Sequence, residues 1–346
     1  MRIVVTGATG NVGTSVLARL LADPRVTAVV GIARRRPRAA LPGVAWEAAD
    51  VAVDDLRPHL EGVDAVIHLA WLIQPMHRPA LTWRANVVGS ERVFAAAAEA
   101  GVGTVVHASS VGAYTPAPGP VDETWPTHSL PTAAYGREKA YVERILDAFE
   151  AHNPAVRVVR LRPAFIFQRA AATAQRRLFV GPLLPNAVAR RGRLPAVPLP
   201  AGLRFQAVHA DDVAEAYHLA VTTQVRGAFN VAASPVIDED AIADLIGARV
   251  VPVPRSAVRA GLAVAWHAHL VAAEPALLDL LLGVPLLDTT RASRELGWTP
   301  RLSATEAVGE LLDGLAGGAG GGTPPLAPDS LVRRIGELAR GVGGRP

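Results

Sequence analysis

Three polar side chains in the middle of the chain could together support acid–base chemistry at a hydroxyl or carbonyl group. Ser110 ends an apolar run, and Tyr135 and Lys139 follow in the segment Tyr135-Gly136-Arg137-Glu138-Lys139. Lys139 is the only lysine in a sequence that otherwise uses arginine for its fixed positive charges. Arginine cannot replace lysine where a compact ammonium with an adjustable pKa is needed, so the retained lysine indicates a chemical role. The alternative is a solvated cation on a helix surface.

Tyr135 and Lys139 are four positions apart, which places both on one face of a predicted helix over residues 135–152. An unperturbed phenol has a pKa of about 10. A neighbouring ammonium and a positively charged nicotinamide would both favour the phenolate and lower that pKa toward working pH. We therefore expect Tyr135 to be the general acid/base, Lys139 to bind the nicotinamide ribose and Ser110 to hold the substrate oxygen. The three residues predict a hydride-transfer site.

A glycine-rich motif, Thr6-Gly7-Ala8-Thr9-Gly10-Asn11-Val12-Gly13, directly follows the first apolar run and begins a helical pattern. Gly7 permits a tight turn, Gly10 lets the backbone approach a pyrophosphate, and Gly13 lets the helix pack closely on the sheet. The pyrophosphate would then lie at the helix N-terminus, where free N–H groups and the helix dipole favour anions. The motif predicts a dinucleotide site, and the alternative is a glycine-rich turn in a sheet that binds no nucleotide.

The second predicted strand ends in Ala33-Arg34-Arg35 and offers no acid there. An NAD site normally places Asp or Glu near this point for the ribose 2′-hydroxyl, whereas arginine pairs well with a 2′-phosphate. Arg34 and Arg35 therefore favour NADP(H). NAD(H) stays open, because both arginines could be ordinary surface residues in an arginine-rich chain.

The bulk composition argues against several classes of protein. With 346 residues, 50% hydrophobic and 19% charged, the chain suits a globular fold with a large core. The net charge is +4, but the arginines are scattered and only 5% of residues are aromatic, so no nucleic-acid partner is expected. The absence of cysteine excludes disulfides and thiolate sites.

Membrane and export signals are weak. The N-terminus enters a predicted strand at once, so no signal peptide is expected. The most apolar region, residues 258–287, is interrupted by charged residues, histidines and two prolines, and falls short of a membrane span. We interpret it as a buried or pocket-lining helix pair, with a membrane-surface helix as the alternative. A cytoplasmic location is the resulting expectation.

Apolar runs alternate with helical patterns in the first half of the chain. This alternation predicts an α/β fold with a doubly wound (Rossmann) parallel sheet. The predicted strands span 2–6, 27–33, 65–69, 104–108 and 156–161, and the predicted helices span 12–22, 81–100 and 135–152.

After Pro163 the regular alternation of apolar runs and helical patterns ends. Residues 181–202 are expected to form a loop with a short helix, and residues 315–328 a flexible linker. The expected division is a dinucleotide-binding domain over 1–165, to which 204–232 returns, a smaller interleaved substrate-binding domain over 166–203 and 233–315, and a flexible Gly/Pro-rich tail over 316–346 with one short helix.

Together these motifs resemble the extended short-chain dehydrogenases/reductases of the NAD-dependent epimerase/dehydratase family, from Met1 to about Leu315. Shared segments also include Leu161-Arg162-Pro163, His209-Ala210-Asp211-Asp212-Val213 and Leu296-Gly297-Trp298-Thr299-Pro300. The resemblance implies that the cofactor contacts are Gly7, Thr9, Gly10, Asn11, Val12, Gly13, Asp50, Val51, Leu69, Ala70, Asn86 and Pro163, with Tyr135 and Lys139. By this resemblance, Asp50 and Val51 would contact the adenine, and Leu69 and Ala70 would line the central part of the cofactor. Asn86 would lie behind the site.

The same resemblance makes Ser110 the active serine in preference to Ser109, because its separation from Tyr135 suits the family. It implies a structural role for His209, with an Asp capping the following helix, and no metal site. It also implies a homodimer through helices 81–100 and 135–152, against a monomer.

Three functions follow as alternatives. The favoured one is an NADP(H)-dependent ketone/alcohol oxidoreductase; the others are a sugar-nucleotide epimerase with tightly bound NAD(P) and a non-catalytic nucleotide sensor. Sugar-nucleotide enzymes often place an Asn just after the strand that ends near Arg162, where this chain has Pro163-Ala164-Phe165-Ile166-Phe167, and often carry an Arg where this chain has Phe205. The later region is apolar, with Phe165, Phe167, Phe179, Trp266 and the run 277–287. These features favour an apolar small-molecule substrate, although Arg190, Arg191 and Arg193 could hold a diphosphate.

Overall fold

The computed structural model describes residues 1–37 and 41–344. The strands are β1 Arg2–Thr6, β2 Ala28–Ala33, β3 Val44–Ala48, β4 Ala65–His68, β5 Thr104–Ala108, β6 Pro120–Val121, β7 Arg157–Pro163, β8 Phe165–Phe167, β9 Ala196–Pro200, β10 Ala207–His209, β11 Gly227–Val231, β12 Arg249–Val253 and β13 Leu286–Leu287. The helices are α1 Asn11–Leu21, α2 Arg57–Leu60, α3 Pro79–Trp83, α4 Gly89–Glu99, α5 Ala134–His152, α6 Ala172–Gln175, α7 Ala210–Thr222, α8 Glu239–Ile246, α9 Arg255–His267, α10 Pro275–Gly283, α11 Ala304–Gly317 and α12 Leu331–Arg340.

Seven strands form one parallel sheet in the order β11-β7-β5-β4-β1-β2-β3. The order reverses between β1 and β4, which is the topology of a doubly wound Rossmann sheet. The α/β prediction is therefore confirmed. In such a sheet, ligands bind beyond the carboxyl ends of the strands, beside the point of reversal.

Helices cover both faces of the sheet because successive strand residues point to opposite sides. In β1, Ile3 and Val5 join a core with α1 and α7 that includes Tyr217, whereas Val4 joins the opposite core, which includes Phe94 of α4 and Leu146 of α5. All six side chains are at most 1% exposed. The sheet is thus buried on both faces, as its continuous apolar runs require.

Three elements differ from the sequence-based expectations. The edge strand β3 was not predicted; its residues are half-buried or exposed without strict alternation, and it pairs in parallel with β2. Residues 181–202, expected as loop and short helix, contain a 3-10 turn and also β9, which pairs with β12. The predicted helix 81–100 is divided into α3, a π-helical turn over Arg84–Val88, and α4.

The Gly/Pro-rich segment after α11, expected as a flexible linker, packs against the body of the protein. The hydroxyl of Thr323 donates a hydrogen bond to the carbonyl oxygen of Thr9, at 2.8 Å, and Leu326 is only 2% exposed. The expected short helix in the tail is present as α12. The segment 318–328 therefore lies against the glycine-rich loop.

Candidate active site

The predicted site residues meet at the carboxyl edge of the sheet, because four neighbouring strands end there. β1 leads into Gly7, β4 into Leu69 and Ala70, and β5 into Ser109 and Ser110. β7 ends in Pro163 itself. Residues distant in sequence are thereby brought to one end of the fold, as expected for the site of a doubly wound sheet.

The glycine-rich loop has little room for side chains at two of its three glycines. A Cβ at Gly7, whose φ is +69°, would lie 2.6 Å from the backbone nitrogen of Ala70, and a Cβ at Gly13 would lie 2.5 Å from the carbonyl oxygen of Gly7. Gly10 is different, since its nearest neighbour in that direction is the Gly7 oxygen at 3.3 Å. Gly10 is also the N-cap of α1 and supplies no side chain to bond the helix N–H groups. This open helix N-terminus fits a pyrophosphate.

The other loop residues are fixed by bonds across the site. The amide of Asn11 donates to the carbonyl oxygen of Ile166 at 3.2 Å, and the amide of Gln168 donates to the backbone and side-chain oxygens of Asn11 at 2.7 and 2.8 Å. Thr9 is 8% exposed and carries the Thr323 hydrogen bond. Val12 packs against the core of β1 and α1.

The adenosine end of the expected site lies at β2 and β3. Arg34 and Arg35 directly follow β2 and are exposed. Asp50 lies in a turn after β3, where one of its carboxylate oxygens accepts the Ala52 N–H at 3.1 Å. Val51 is 8% exposed and packs against Gly89 of α4.

The two serines after β5 have different partners. The Ser109 hydroxyl donates to Glu143 at 2.6 Å and is buried. The Ser110 hydroxyl accepts the Gly112 N–H at 3.0 Å and also interacts with Tyr135. The geometry thus brings Ser110, and not Ser109, to the tyrosine.

Tyr135 is half-buried near the N-terminus of α5, and its ring lies among small and apolar neighbours. A Cβ at Gly112 would be 3.1 Å from Cε1 of Tyr135 and 3.4 Å from Cδ2 of Leu280. Burial raises the pKa of the Tyr135 phenol above its ordinary value, against the hydrogen bond with Ser110, which lowers it. The expectation that Lys139 lowers this pKa differs from the structure, in which Lys139 points elsewhere.

Lys139 lies one helical turn further, is 3% exposed, and donates a hydrogen bond to the carbonyl oxygen of Ala108 at 2.6 Å. Its Nζ lies 3.3 Å from the ring centroid of Trp71 and 5.9 Å from that of Tyr135. Burial lowers the pKa of Lys139 to about 7, against the charges of Glu138 and Glu143, which raise it. Desolvation has therefore removed part of the charge that would otherwise favour the phenolate.

Trp71 is the site residue that sequence reasoning missed. Its ring meets the Tyr135 ring edge-on, with centroids 6.0 Å apart, and covers the Lys139 ammonium. Its indole nitrogen is buried without a hydrogen-bond partner. The available signal was its position, directly after Leu69-Ala70 at the end of β4.

Behind the site, Asn86 is fully buried and joins two segments. Its amide donates to the carbonyl oxygen of Leu72 at 2.9 Å and to Glu138 at 2.6 Å, while its oxygen accepts the Leu72 N–H at 2.6 Å. Thr82 donates to the other oxygen of Glu138 at 2.7 Å. Asn86 thus positions the chain around Trp71 from within the protein.

A second buried network holds β5 against α5 and β7. Arg162 makes a two-pronged ion pair with Glu143, at 2.8 and 2.9 Å, and donates to the Tyr114 hydroxyl at 2.9 Å. Tyr114 in turn donates to Asn230 of β11 at 2.7 Å. Arg162 holds the pKa of Glu143 below its usual range although burial opposes this. The pair fixes the helix that carries Tyr135 and Lys139.

The histidines near the site are neutral packing residues. His68 bonds Thr6 and Ser90, at 2.7 and 2.9 Å, and burial followed by the charge of Lys139 lowers its pKa to about 3. His107 stacks on His68, with ring centroids 5.6 Å apart, and burial holds its pKa well below the usual range.

His209 has a structural role, but the expected capping residue was wrong. The His209 ring itself caps α7 by accepting the Asp211 N–H at 3.2 Å. Asp212 is buried instead and accepts the Leu302 N–H at 3.0 Å. In the described ranges, no group of three or more His, Asp or Glu residues is arranged to hold a metal ion.

Part of the predicted apolar region reaches the site through α10. Leu280 lies beside Gly112 and Gly136, and Glu274, which precedes α10, accepts the N–H of Ala134 at the start of α5. Phe165 packs against Phe205. Trp266 stacks on His77, with ring centroids 4.0 Å apart. Of the elements with these contacts, α10 is therefore the one that places an apolar side chain next to Tyr135.

Comparison with known proteins gives a family and a fold. Residues 3–232 match the model of the NAD dependent epimerase/dehydratase family. An uncharacterized protein of Mycobacterium tuberculosis is 28% identical over 311 residues, which are 89% of this chain and 29% of that protein. The 4-hydroxy-2-methyl-3-oxo-4-farnesyl-3,4-dihydroquinoline-1-oxide ketoreductase of Stigmatella aurantiaca is 32% identical over 175 residues, 48% of this chain and 51% of that enzyme. The chain thus spans less than a third of the first relative's length.

Among solved structures, MoeE5 in complex with UDP-glucuronic acid and NAD is similar in fold. The TM-score is 0.66 at 22% identity, covering 91% of this chain and 98% of the other. The family match includes the glycine-rich loop, the three polar residues and the strands that carry them. The chain therefore belongs to the NAD dependent epimerase/dehydratase family.

Proposed function

We propose that this protein is an NADP(H)-dependent oxidoreductase that interconverts a ketone and an alcohol. The observation that carries the proposal is the placement of Tyr135, half-buried beside Ser110 and bordered by the apolar side chains of Trp71 and Leu280. An apolar surround raises the cost of a charged phenolate and suits a hydroxyl that donates a proton to a developing alkoxide.

Each residue has a defined task in this reaction. When bound, the nicotinamide supplies or accepts the hydride. In the reductive direction, the Tyr135 hydroxyl donates its proton to the substrate oxygen, and Ser110 holds that oxygen by a hydrogen bond. Lys139 binds the ribose from its position one helical turn after Tyr135, and the Ala108 carbonyl orients it. Asn86 and Glu143 position these elements without contacting substrate.

The cofactor proposal rests on two features, the N-terminus of α1 and the end of β2. The open helix N-terminus at Gly10 suits the pyrophosphate, and the exposed Arg34 and Arg35 at the end of β2 suit a 2′-phosphate. The same carboxyl edge of the sheet is bordered by the other expected cofactor contacts, Asp50, Val51, Leu69, Ala70 and Pro163.

The proposed substrate is apolar and is bound by the part formed from residues 166–203 and 233–315. Trp71 and Leu280 provide apolar surface at Tyr135. Arg191, a candidate for a diphosphate, forms an ion pair with Asp313 at 3.4 Å. The name of the Stigmatella relative describes a farnesylated substrate, which is consistent with an apolar ligand.

Tyr135→Phe tests the proposal directly. It removes the proton donor and keeps the ring, so turnover of NADPH with a panel of apolar ketones should fall about 10²–10⁴-fold. Tyr141→Phe is the matched control, since Tyr141 lies on the same helix and is 49% exposed. Unchanged turnover in Tyr135→Phe would show that Tyr135 is not the proton donor, and absence of turnover in both the wild type and the variant would favour a nucleotide sensor.

The epimerase alternative predicts a different readout. An epimerase regenerates its cofactor and retains it, so denaturing the purified protein should release stoichiometric nicotinamide nucleotide. That result, together with no net NADPH consumption on any ketone, would replace the proposed function.

We also propose a homodimer through α3–α4 and α5. Trp83 and Tyr141 form a ring pair at 4.9 Å, and Tyr141 and Leu81 are 49% and 37% exposed. Light scattering of wild type and Tyr141→Asp tests it: the substitution should convert a dimer to a monomer.

A further inference from the structure

The last described helix, α12, has its apolar side turned away from the protein. Leu331, Val332, Ile335 and Leu338 lie on one stripe of the helix and are 80%, 80%, 65% and 49% exposed. A surface helix of a globular protein ordinarily buries this stripe against the core. The orientation of α12 is therefore the reverse of the usual one.

Polar contacts hold α12 in this orientation. Arg334 bonds Asp329 and the carbonyl oxygens of Pro182 and Leu184, at 2.6 to 2.9 Å, and also contacts Asn186. Glu337 forms an ion pair with Arg176 at 3.0 Å, and the Arg176 side chain is only 2% exposed. Rotating the apolar stripe inward would leave Arg176 buried without this partner, which is unfavourable.

The apolar surface continues beyond α12. Leu183, between the two residues whose carbonyls Arg334 binds, is 52% exposed. Val342, just after α12, lies beside Gly181 and the backbone of Leu270, which is itself 48% exposed. We call α12 with Leu183 and Leu270 the outer apolar surface. Several exposed apolar side chains grouped in one region mark an interaction site.

The charges on α12 indicate which kind of partner binds the outer apolar surface. Its outward-facing ionic residues are Arg333 and Arg340, both exposed, and its one acid, Glu337, is turned inward to Arg176. A second copy of the chain would bring the same arginines toward each other, which opposes self-association. An apolar stripe on a helix with two exposed arginines and no exposed acid instead matches the boundary between acyl chains and anionic headgroups.

We propose that the outer apolar surface binds an anionic lipid bilayer, with α12 lying in the plane of the interface. Among the described residues, no helix is long and apolar enough to cross a membrane, so the association is with one surface. The proposal depends on α12 and its surroundings and not on the proposed reaction, and its test measures binding alone.

The experiment is co-sedimentation of the whole protein with vesicles of phosphatidylcholine, or of phosphatidylcholine with phosphatidylglycerol. We expect binding to the anionic vesicles that weakens as salt is added. Leu331→Ser with Ile335→Ser should reduce this partitioning by about tenfold or more, because the interface loses two apolar anchors. Val53→Ser, 51% exposed in the turn after β3, is the matched control and should bind as wild type.

A second variant separates the electrostatic contribution. Arg333→Gln with Arg340→Gln should remove the preference for anionic vesicles by about tenfold while leaving the urea midpoint unchanged, since both side chains are exposed. Absence of sedimentation with either vesicle, or equal sedimentation of the serine variant, overturns the proposal. A concentration-dependent dimer that the serine variant abolishes, without vesicle binding, would assign the surface to a second copy of the chain.

Discussion

The cofactor and substrate sides of the proposed active site are stabilised in different ways. On the cofactor side, charged residues such as Glu143 and Arg162 are buried and paired with each other. On the proposed substrate side, α9 has no buried residue and α10 has one, Leu280. Buried ion pairs hold the elements of the cofactor side in place, whereas the substrate side consists of apolar residues near solvent. Substitutions should therefore be costly on the first side and mild on the second.

The largest effect is expected from breaking the buried ion pair. Glu143→Gln leaves Arg162 charged and without its partner, so the free energy of unfolding should fall by about 3–5 kcal/mol. Urea denaturation measures it, with the exposed Glu91→Gln of α4 as control. A loss no greater than the control's would mean that water reaches Arg162, and the contrast between the two sides would disappear.

A pH-dependent effect is expected from Lys139. The folded protein releases the Lys139 proton at a pKa of about 7, whereas the unfolded chain holds it to about 10.5. Between these values the unfolded state binds more protons, so stability contributed by this group rises with pH. Wild type should thus gain stability relative to Lys139→Met from pH 7 to pH 10 in urea titrations. Parallel profiles would show that the buried amine keeps its charge.

The geometry of Lys139 gives a companion test. Lys139→Arg keeps a cation but cannot fit a planar group between the Ala108 carbonyl and the Trp71 ring. Turnover should fall by about tenfold or more, with native-like circular dichroism. Full activity would remove the argument from the single lysine.

A smaller effect is expected at the exposed edge of the cofactor side. Arg34→Ala with Arg35→Ala should weaken NADPH binding by about tenfold while changing NADH binding little, because only NADPH carries the 2′-phosphate. Calorimetric titration with both nucleotides measures the ratio. Equal losses for the two nucleotides would contradict the proposed preference.

The smallest effect is expected on the apolar wall. Leu280→Met conserves volume next to Tyr135, so stability should change by less than about 1.5 kcal/mol. The KM for a bulky ketone should change while kcat with a small one is kept. A stability loss as large as that of Glu143→Gln would show that both walls are equally rigid.

The cofactor half was predictable because its signals are local. The glycine spacing, the apolar strands and the Tyr135–Lys139 interval each depend on residues close together in sequence. Asn86 and Ser110 were identified by resemblance, and the structure places Ser110 beside Tyr135 and Asn86 behind the site.

The rest depends on contacts between distant residues. Trp71 covers Lys139 only because the segment after β4 meets α5 in the fold, and no pattern in either segment records this. β3 was missed because its alternation is weak at the sheet edge. The outward orientation of α12 follows from Arg176 and Asp329, which lie outside the helix, whereas its own sequence predicts the opposite.

The hydrogen bond from Thr323 to Thr9 has a consequence for the order in which the protein matures. During synthesis the first strand and its glycine loop emerge early, yet this loop receives its last partner only after residue 323 has left the ribosome. Nascent chains stalled before that point should bind nucleotide more weakly than released ones. Docking of the segment that carries Thr323 would then be a late step in completing the cofactor loop.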